Sequence, residues 1–312
     1  MSAPGEQRLL PSAVEVPFAE IESALARLGQ PSRGQAGPRA LTATIVVIGP
    51  LERLFEAADA LEQLSDRAGI RAILVSLGDD PAPSVRLAGH AVAIEGLTPE
   101  FVDNAVAALR LSSLPTLVWW RGGDALTLDA VARLADRLVL DVEDPEPGWR
   151  RVAALAEHTA VSDLRWTRLT RWRALMAHFF DVPEVLAMAS SFQRLELAGS
   201  DRPTLRLFAG WVTSALKNPR WSIDIRAGAV REPVQHPIER VRLSNGAQEL
   251  LLCLAASATC VETAAHVEGH AGASRIVARG DQGLAALVAE ELRIRSRDLA
   301  FERALASAAG VT

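Results

Sequence analysis

Between Leu41 and Asp144 the chain alternates short apolar runs with longer amphipathic ones. The runs "LTATIVVIG" (41–49), "IRAILVSLG" (70–78), "PTLVWW" (115–120) and "DRLVLDVED" (136–144) are rich in β-branched and aliphatic residues, which predicts buried strands. "LERLFEAADALEQLSDRAG" (51–69) sets Leu51, Leu54, Phe55, Ala58, Leu61 and Leu64 on one helical face and stops at Gly69. "SVRLAGHAVAIEGL" (84–97) alternates, as a strand or a hairpin does. "TPEFVDNAVAALRLSSL" (98–114) predicts a helix with Thr98 as N-cap and Pro99 at its first position, and "TLDAVARLA" (127–135) predicts another. Strands separated by helices imply an open, mainly parallel sheet covered on both faces. This α/β domain spans residues 41–147.

After "PEPGWRR" the pattern changes. A helix is expected at about 148–158, then a Trp- and Arg-dense segment, a strand at 194–199 and a helix at 202–218. Strands follow at 221–228, 238–246, 248–257, 260–267 and 273–280, with Asn245-Gly246 as the strongest hairpin signal. Two helices, 283–294 and 296–308, close the chain. Residues 148–312 therefore read as an α+β domain with an antiparallel sheet. Residues 1–40 read as an N-terminal arm, a short helix at Phe18–Gly29 and a Gly/Pro/Ser-rich linker.

Composition narrows the function classes. Of 312 residues, 49% are hydrophobic and 23% charged, a globular balance. The net charge of −5 and the lack of any basic run argue against nucleic-acid binding. Lys217 is the sole lysine, so positive surface is guanidinium, which pairs bidentately and stacks on aromatic rings. Tyrosine is absent, which leaves Trp to supply large amphipathic contacts. Cys253 and Cys260 read as small buried apolar residues of a cytosolic protein. The N-terminus lacks a signal-peptide pattern, and the longest apolar stretch, "LLCLAASATCV", is too short for a bilayer. A cytoplasmic protein that neither spans nor binds membrane is expected.

Conventional chemistry is hard to find. "IGPLERL" after the first strand has one Gly and none of the spacing that cradles a phosphate. Asp79 and Asp80 could hold a cation, or simply form a solvated turn. His266 and His270 are four apart, but Gly269 and Gly272 argue against the helix that a metal pair would need. No catalytic residues, cofactor site or metal site are expected. The conspicuous residues are aromatic and cationic. Trp119 and Trp120 end a strand, where neighbours face opposite sides, so one ring must go under a helix, into a cleft or to a partner. In "DLRWTRLTRWR" (163–173), Asp163 can cap a helix that starts near Leu164. Trp166 and Thr170 share one face of that helix, and Arg165, Arg168 and Trp172 another. Two readings stand: tryptophans filling a domain seam, or a partner interface. The candidate partner-binding residues are Trp119, Trp120, Arg121, Asp163, Trp166 and Arg168, together with Thr170, Trp172, Arg173 and Trp211.

"LPTLVWWRGGDALTLDAVARLADRLVLDVED", "DLRWTRLTRWRALMAHFFD" and "LFAGWVTSALK" occur in the order and approximate spacing of one family. The chain resembles the glucose-6-phosphate dehydrogenase assembly protein family, OpcA, over about residues 41–280. The match rests on the candidates above other than Arg121, with Asp136, Arg137, Asp141 and Gly210. Two features depart from the family: Arg121 stands where members often carry Pro, and "RAGIRAILV" replaces a His-Pro-Ser-Arg turn. The resemblance implies a non-catalytic protein without a cofactor. It would bind glucose-6-phosphate dehydrogenase, promote its active oligomer and raise NADPH supply through the oxidative pentose phosphate pathway. The alternative is a sugar-phosphate-binding protein, or an enzyme with an unrecognised active site, gripping phosphate with arginines.

Overall fold

A computed structural model of the protein describes residues 8–10, 12–21, 23–24, 40–217, 221–228, 236–267, 274–294 and 296–310. In chain order the strands of the first half are β1 (Val14–Glu15), β2 (Ala43–Gly49), β3 (Ile70–Leu77), β4 (Ser84–Ala88), β5 (Ala91–Leu97), β6 (Thr116–Trp120), β7 (Arg137–Leu140) and β8 (Ala160–Asp163). Those of the second half are β9 (Arg194–Gly199), β10 (Ser222–Ala227), β11 (Arg240–Ser244), β12 (Glu249–Leu254), β13 (Cys260–His266) and β14 (Arg275–Ala278). The helices are α1 (Leu51–Ala68), α2 (Val102–Leu109), α3 (Ala125–Ala132), α4 (Trp149–Leu155) and α5 (Leu164–Arg168). They continue with α6 (Thr170–Phe179), α7 (Pro183–Ala187), α8 (Arg202–Leu216), α9 (Leu284–Arg293) and α10 (Leu299–Ala308). Contacts group the chain into two units that draw segments from both sides of residue 147. Unit one is Met1–Glu143, Leu155–Ser162 and Gly283–Arg297; unit two is Asp144–Ala154, Asp163–Gln282 and Asp298–Thr312.

Unit one has the α/β architecture, with a mainly parallel sheet, that the strand–helix alternation implied. Its sheet has the order β1-β4-β5-β3-β2-β6-β7-β8. From β5 through β7 the pairing is parallel, while β4 returns to β5 as a hairpin and β1 adds an antiparallel edge. Every residue of β2, β6 and β7 is buried, as unbroken apolar runs require. Gly69 ends α1 at φ 58, and a Cβ there would come 2.5 Å from the Ala40 carbonyl oxygen. The 98–114 helix is shorter than its pattern suggested. Thr98 makes no side-chain cap, a 3-10 turn fills Pro99–Phe101, and Arg110 is already extended. α3 starts earlier than expected because Asp124 accepts from the amides of Leu126 (2.8 Å) and Thr127 (2.9 Å). The expected C-terminal helix pair divides: α9 packs with α1 in unit one, and α10 with α8 in unit two.

Unit two holds a six-stranded sheet of order β10-β9-β11-β12-β13-β14. It is antiparallel from β9 to β14, as expected, but β9 and β10 are parallel because α8 carries the chain back to the same end. The Asn245-Gly246 turn forms as read, with Gly246 at φ 93 and the Asn245 amide donating to the Gln248 carbonyl over 3.2 Å. Alternation puts Leu195, Leu197, Val241, Leu243, Leu250 and Leu252 on the buried face, and α6 and α8 supply helix packing against these strands. Cys253 and Cys260 are free and half-buried rather than buried. The 30–39 linker and half of the 18–29 helix lie outside the described residues, as does His270.

Candidate functional site

Two clusters collect the conspicuous residues, one in each unit. In unit one the parallel strands end on a common edge, and the order reverses between β2 and β6. Open α/β sheets bind ligands in the crevice at that point. Here Arg121, only 3% exposed, crosses it. Its backbone amide donates to the Ile48 carbonyl (2.7 Å). Its guanidinium donates to Glu56 in α1 (3.1 Å), to the Arg53 carbonyl, and faces Asp141 at the end of β7 (2.9 Å). The Trp119 indole N–H also donates to Asp141 (3.3 Å), and Arg121 lies 5.1 Å from the Trp119 ring centre. Arg53 closes the cluster by donating to the Asp141 carbonyl (2.9 Å). Gly49 sits so close that a Cβ would come 3.0 Å from that of Arg121. Two carboxylates therefore neutralise Arg121 within the crevice.

Both rings of the Trp-Trp pair are buried, Trp119 at 0% and Trp120 at 3%. The second ring finds its place in a glycine turn. Gly123, at φ 140, leaves the space that Trp120 fills beside Leu77, and a Cβ there would approach a ring carbon to 2.6 Å. Asp80 accepts from the Ala82 amide (2.9 Å), forming a local turn. Among the described residues no group of three or more His, Cys, Asp or Glu could hold a metal ion.

In unit two the segment "DLRWTRLTRWR" forms α5 and the start of α6. Asp163 caps α5 as read, accepting from the Arg165 amide (2.7 Å). Asp201 caps α8 by accepting from the Thr204 amide (3.1 Å), and its Oδ2 also receives the Arg165 Nε (2.9 Å). Asp298 caps α10 through Oδ1, which accepts from the Ala300 and Phe301 amides (3.0 Å each), while its Oδ2 accepts from the Trp166 indole (2.7 Å). Arg165 and Trp166 thus tie α5 to the first turns of two other helices. Trp166 packs on Phe301 at 5.6 Å between ring centres, and the Arg173 guanidinium stacks 3.6 Å from the Trp166 ring centre. On α8, Gly210 lets α10 approach closely: a Cβ there would collide with the Ala304 carbonyl oxygen and lie 2.8 Å from the Ala308 nitrogen. Trp211 contacts Phe208 edge-on at 5.3 Å.

Of the expected partner-binding residues in unit two, Asp163, Trp166 and Trp172 are each 1% exposed. Arg168, Arg173 and Trp211 are half-buried, and Thr170 is exposed. The structure brings Trp166, Thr170 and Arg173 together, since Arg173 donates to the Thr170 hydroxyl (3.3 Å). Sequence reasoning missed Asp201 and Asp298. Both were readable as caps, in "SDRPT" and "SRDLAF", but nothing local said that their second oxygens serve α5. It also missed the buried pair Arg137–Glu291 (2.7 Å), which Ser162 joins by donating to Glu291 (2.9 Å).

Residues 159–305 match a family model described as the C-terminal domain of a glucose-6-phosphate dehydrogenase subunit. A curated Synechocystis protein, "Putative OxPP cycle protein OpcA", is 28% identical over 157 residues, covering 45% of this chain and 33% of that protein. The match thus spans about a third of the relative's length. Among solved structures, an oxidoreductase from Sinorhizobium meliloti aligns at TM-score 0.45 and 10% identity, over 86% of each chain. An aldose-aldose oxidoreductase from Caulobacter crescentus, complexed with glycerol, aligns at 0.47 and 11%, over 85% of this chain and 95% of that one. At that similarity neither carries an argument about this chain.

Proposed function

We propose, on the premise that residues 159–305 are an OpcA-family domain, that this chain is a cytoplasmic, non-catalytic accessory protein of the oxidative pentose phosphate pathway. It binds glucose-6-phosphate dehydrogenase and favours its active oligomer. The observation that carries this reading is the match of residues 159–305 to a domain described as part of a subunit of that dehydrogenase. A partner acts on an oligomer equilibrium only through its differential affinity, and about 1.4 kcal/mol of difference moves the ratio of states tenfold. No turnover is required.

Two features support a role without catalysis. The crevice that an α/β enzyme would give to its ligand is crossed by Arg121, whose charge Asp141 and Glu56 already meet. The Trp/Arg segment spends Trp166 and Arg165 on holding α10 and α8, and buries Trp172. That rigid support leaves Arg168, Thr170, Arg171 and Arg173, around the start of α6, as the part of the motif that solvent reaches. The test is co-sedimentation of the purified chain with the same organism's dehydrogenase, for the native chain and for Thr170→Arg. The expected result is a complex that the exposed substitution weakens. Failure to co-sediment under both reducing and oxidising conditions contradicts the proposal. Thermal stabilisation by a sugar phosphate alone would move the assignment to a ligand-binding protein.

A further inference from the structure

Among the described residues, the helices packed on the six-stranded sheet of unit two are α6 and α8, on the side of its buried Leu and Val residues. Strand registry sorts the sheet's other side into ranks. One rank reads Arg226, Ala198, Arg240, Cys253, Glu262 and Ile276 from β10 to β14. The next holds Asp224, Glu196, Arg242, Leu251 and Ala264. These positions alternate with the buried Leu and Val residues, so they share the face opposite α6 and α8. Ile276 is 69% exposed, and Glu262 and Arg240 are exposed. Arg275 belongs to the covered side, where it bonds His178 of α6 (3.0 Å).

The charges on this face are divided. On β9–β11, Arg194, Arg226, Arg240 and Arg242 stand against Glu196 and Asp224, a net charge of two positive. On β12 and β13, the carboxylates of Glu249 and Glu262 stand without a Lys or Arg of their own strands. Ion pairs flatten much of this surface: Arg242 spans Glu196 (2.8 Å) and Glu249 (2.6 Å), and Arg226 lies on Asp224 (2.9 Å). A face with one basic and one acidic flank is complementary to itself when turned over. A two-fold axis in the face, parallel to the strands between β11 and β12, lays β9 of one copy on β13 of the other. Glu262 then descends over the small Ala198, between Arg226 and Arg240, and Leu251 lies near the axis. Aligned sheets pack within about 30° of each other, which keeps these flanks opposed.

We propose that the open face of this sheet is an isologous interface with a second copy of the chain. Six strands about 4.8 Å apart, each about five residues long, give a footprint of about 500 Å² per copy. That is close to the roughly 1,000 Å² total from which a specific interface is argued, so the dimer exchanges with monomer at micromolar concentration. The inference concerns the chain alone and does not depend on the dehydrogenase.

The test is sedimentation velocity of the full chain from roughly 1 to 100 µM, with thermal melting as a check on folding. A concentration-dependent dimer is expected. Leu251→Arg should abolish it. Glu262→Arg and Arg240→Glu should each weaken it about tenfold, and the double reversal should recover much of the loss, which a folding defect would not do. A chain monomeric throughout that range overturns the proposal. So does a dimer indifferent to Leu251→Arg. A monomer whose binding to the dehydrogenase Leu251→Arg abolishes would assign the face to that enzyme instead.

Discussion

Replacing Gly210 by Ala sets two effects of opposite sign against each other. Within a helix, Ala is favoured over Gly by about 1 kcal/mol, so propensity alone predicts stabilisation. The structure predicts the reverse. A Cβ on Gly210 would meet the Ala304 carbonyl oxygen, the Ala308 nitrogen at 2.8 Å and the Ala308 Cβ at 3.0 Å. Two of these are backbone atoms of α10 and cannot rotate away. The helices must part, which loosens the buried contacts of Phe208, Phe301 and Leu305 along their crossing. Overpacking of this kind costs about 1–3 kcal/mol, and here the whole helix backbone has to move, which places the cost at the upper end. After the propensity gain, a net loss of about 1–2 kcal/mol remains, or about 3–6 °C in the melting temperature of unit two. Differential scanning calorimetry reads this directly. Gly148→Ala is the control, because nothing lies within 4 Å of its added Cβ. A Gly210→Ala protein as stable as the native chain, or more stable, would refute the close crossing of α8 and α10.

Other substitutions probe the polar clusters. Arg121→Ala should cost about 3 kcal/mol in urea unfolding by taking from the buried Asp141 its nearer cation, at 2.9 Å, and leaving only Arg53 at 3.9 Å, and adding Asp141→Asn should return part of that; a neutral effect would contradict the ion cluster. Trp166→Phe keeps one aromatic ring but loses the bond to Asp298, which alone should cost about 1.5 kcal/mol, whereas Asp298→Ala loses the same bond and also removes the α10 cap. The Thr127 hydroxyl and backbone amides hold the Asp124 carboxyl below its ordinary 3.8. Its contribution is therefore present above that pH and lost as pH falls through the lowered value. The stability gap between the native chain and Asp124→Ala should narrow from about pH 6 to about pH 3, and a widening gap would reverse the sign of the account.

Much of unit one was legible because burial on both faces forces continuous apolar strands, and β2, β3, β6 and β7 are such runs. β8 was not: "AVSD" is four residues long, half polar, and runs straight into the Asp163 cap. The parallel pairing of β9 with β10 was hidden as well, since strand direction depends on where α8 returns the chain. For the site, Asp163 was readable because capping is local. The burial of Trp119, Trp120, Trp166 and Trp172 was not, because composition cannot separate an aromatic core from an aromatic interface. The partners of Arg165 and Trp166 lie 36 and 132 residues away, beyond the reach of any local pattern.

The most direct measurement is the rate of glucose-6-phosphate dehydrogenase titrated with this chain at subsaturating substrate, beside the chain assayed alone. A saturable change in the dehydrogenase's kinetics or oligomer distribution is expected, with no NADPH formation by the chain itself. Unchanged dehydrogenase kinetics at saturating chain, or turnover of the sugar phosphate without the dehydrogenase, would contradict the proposed function.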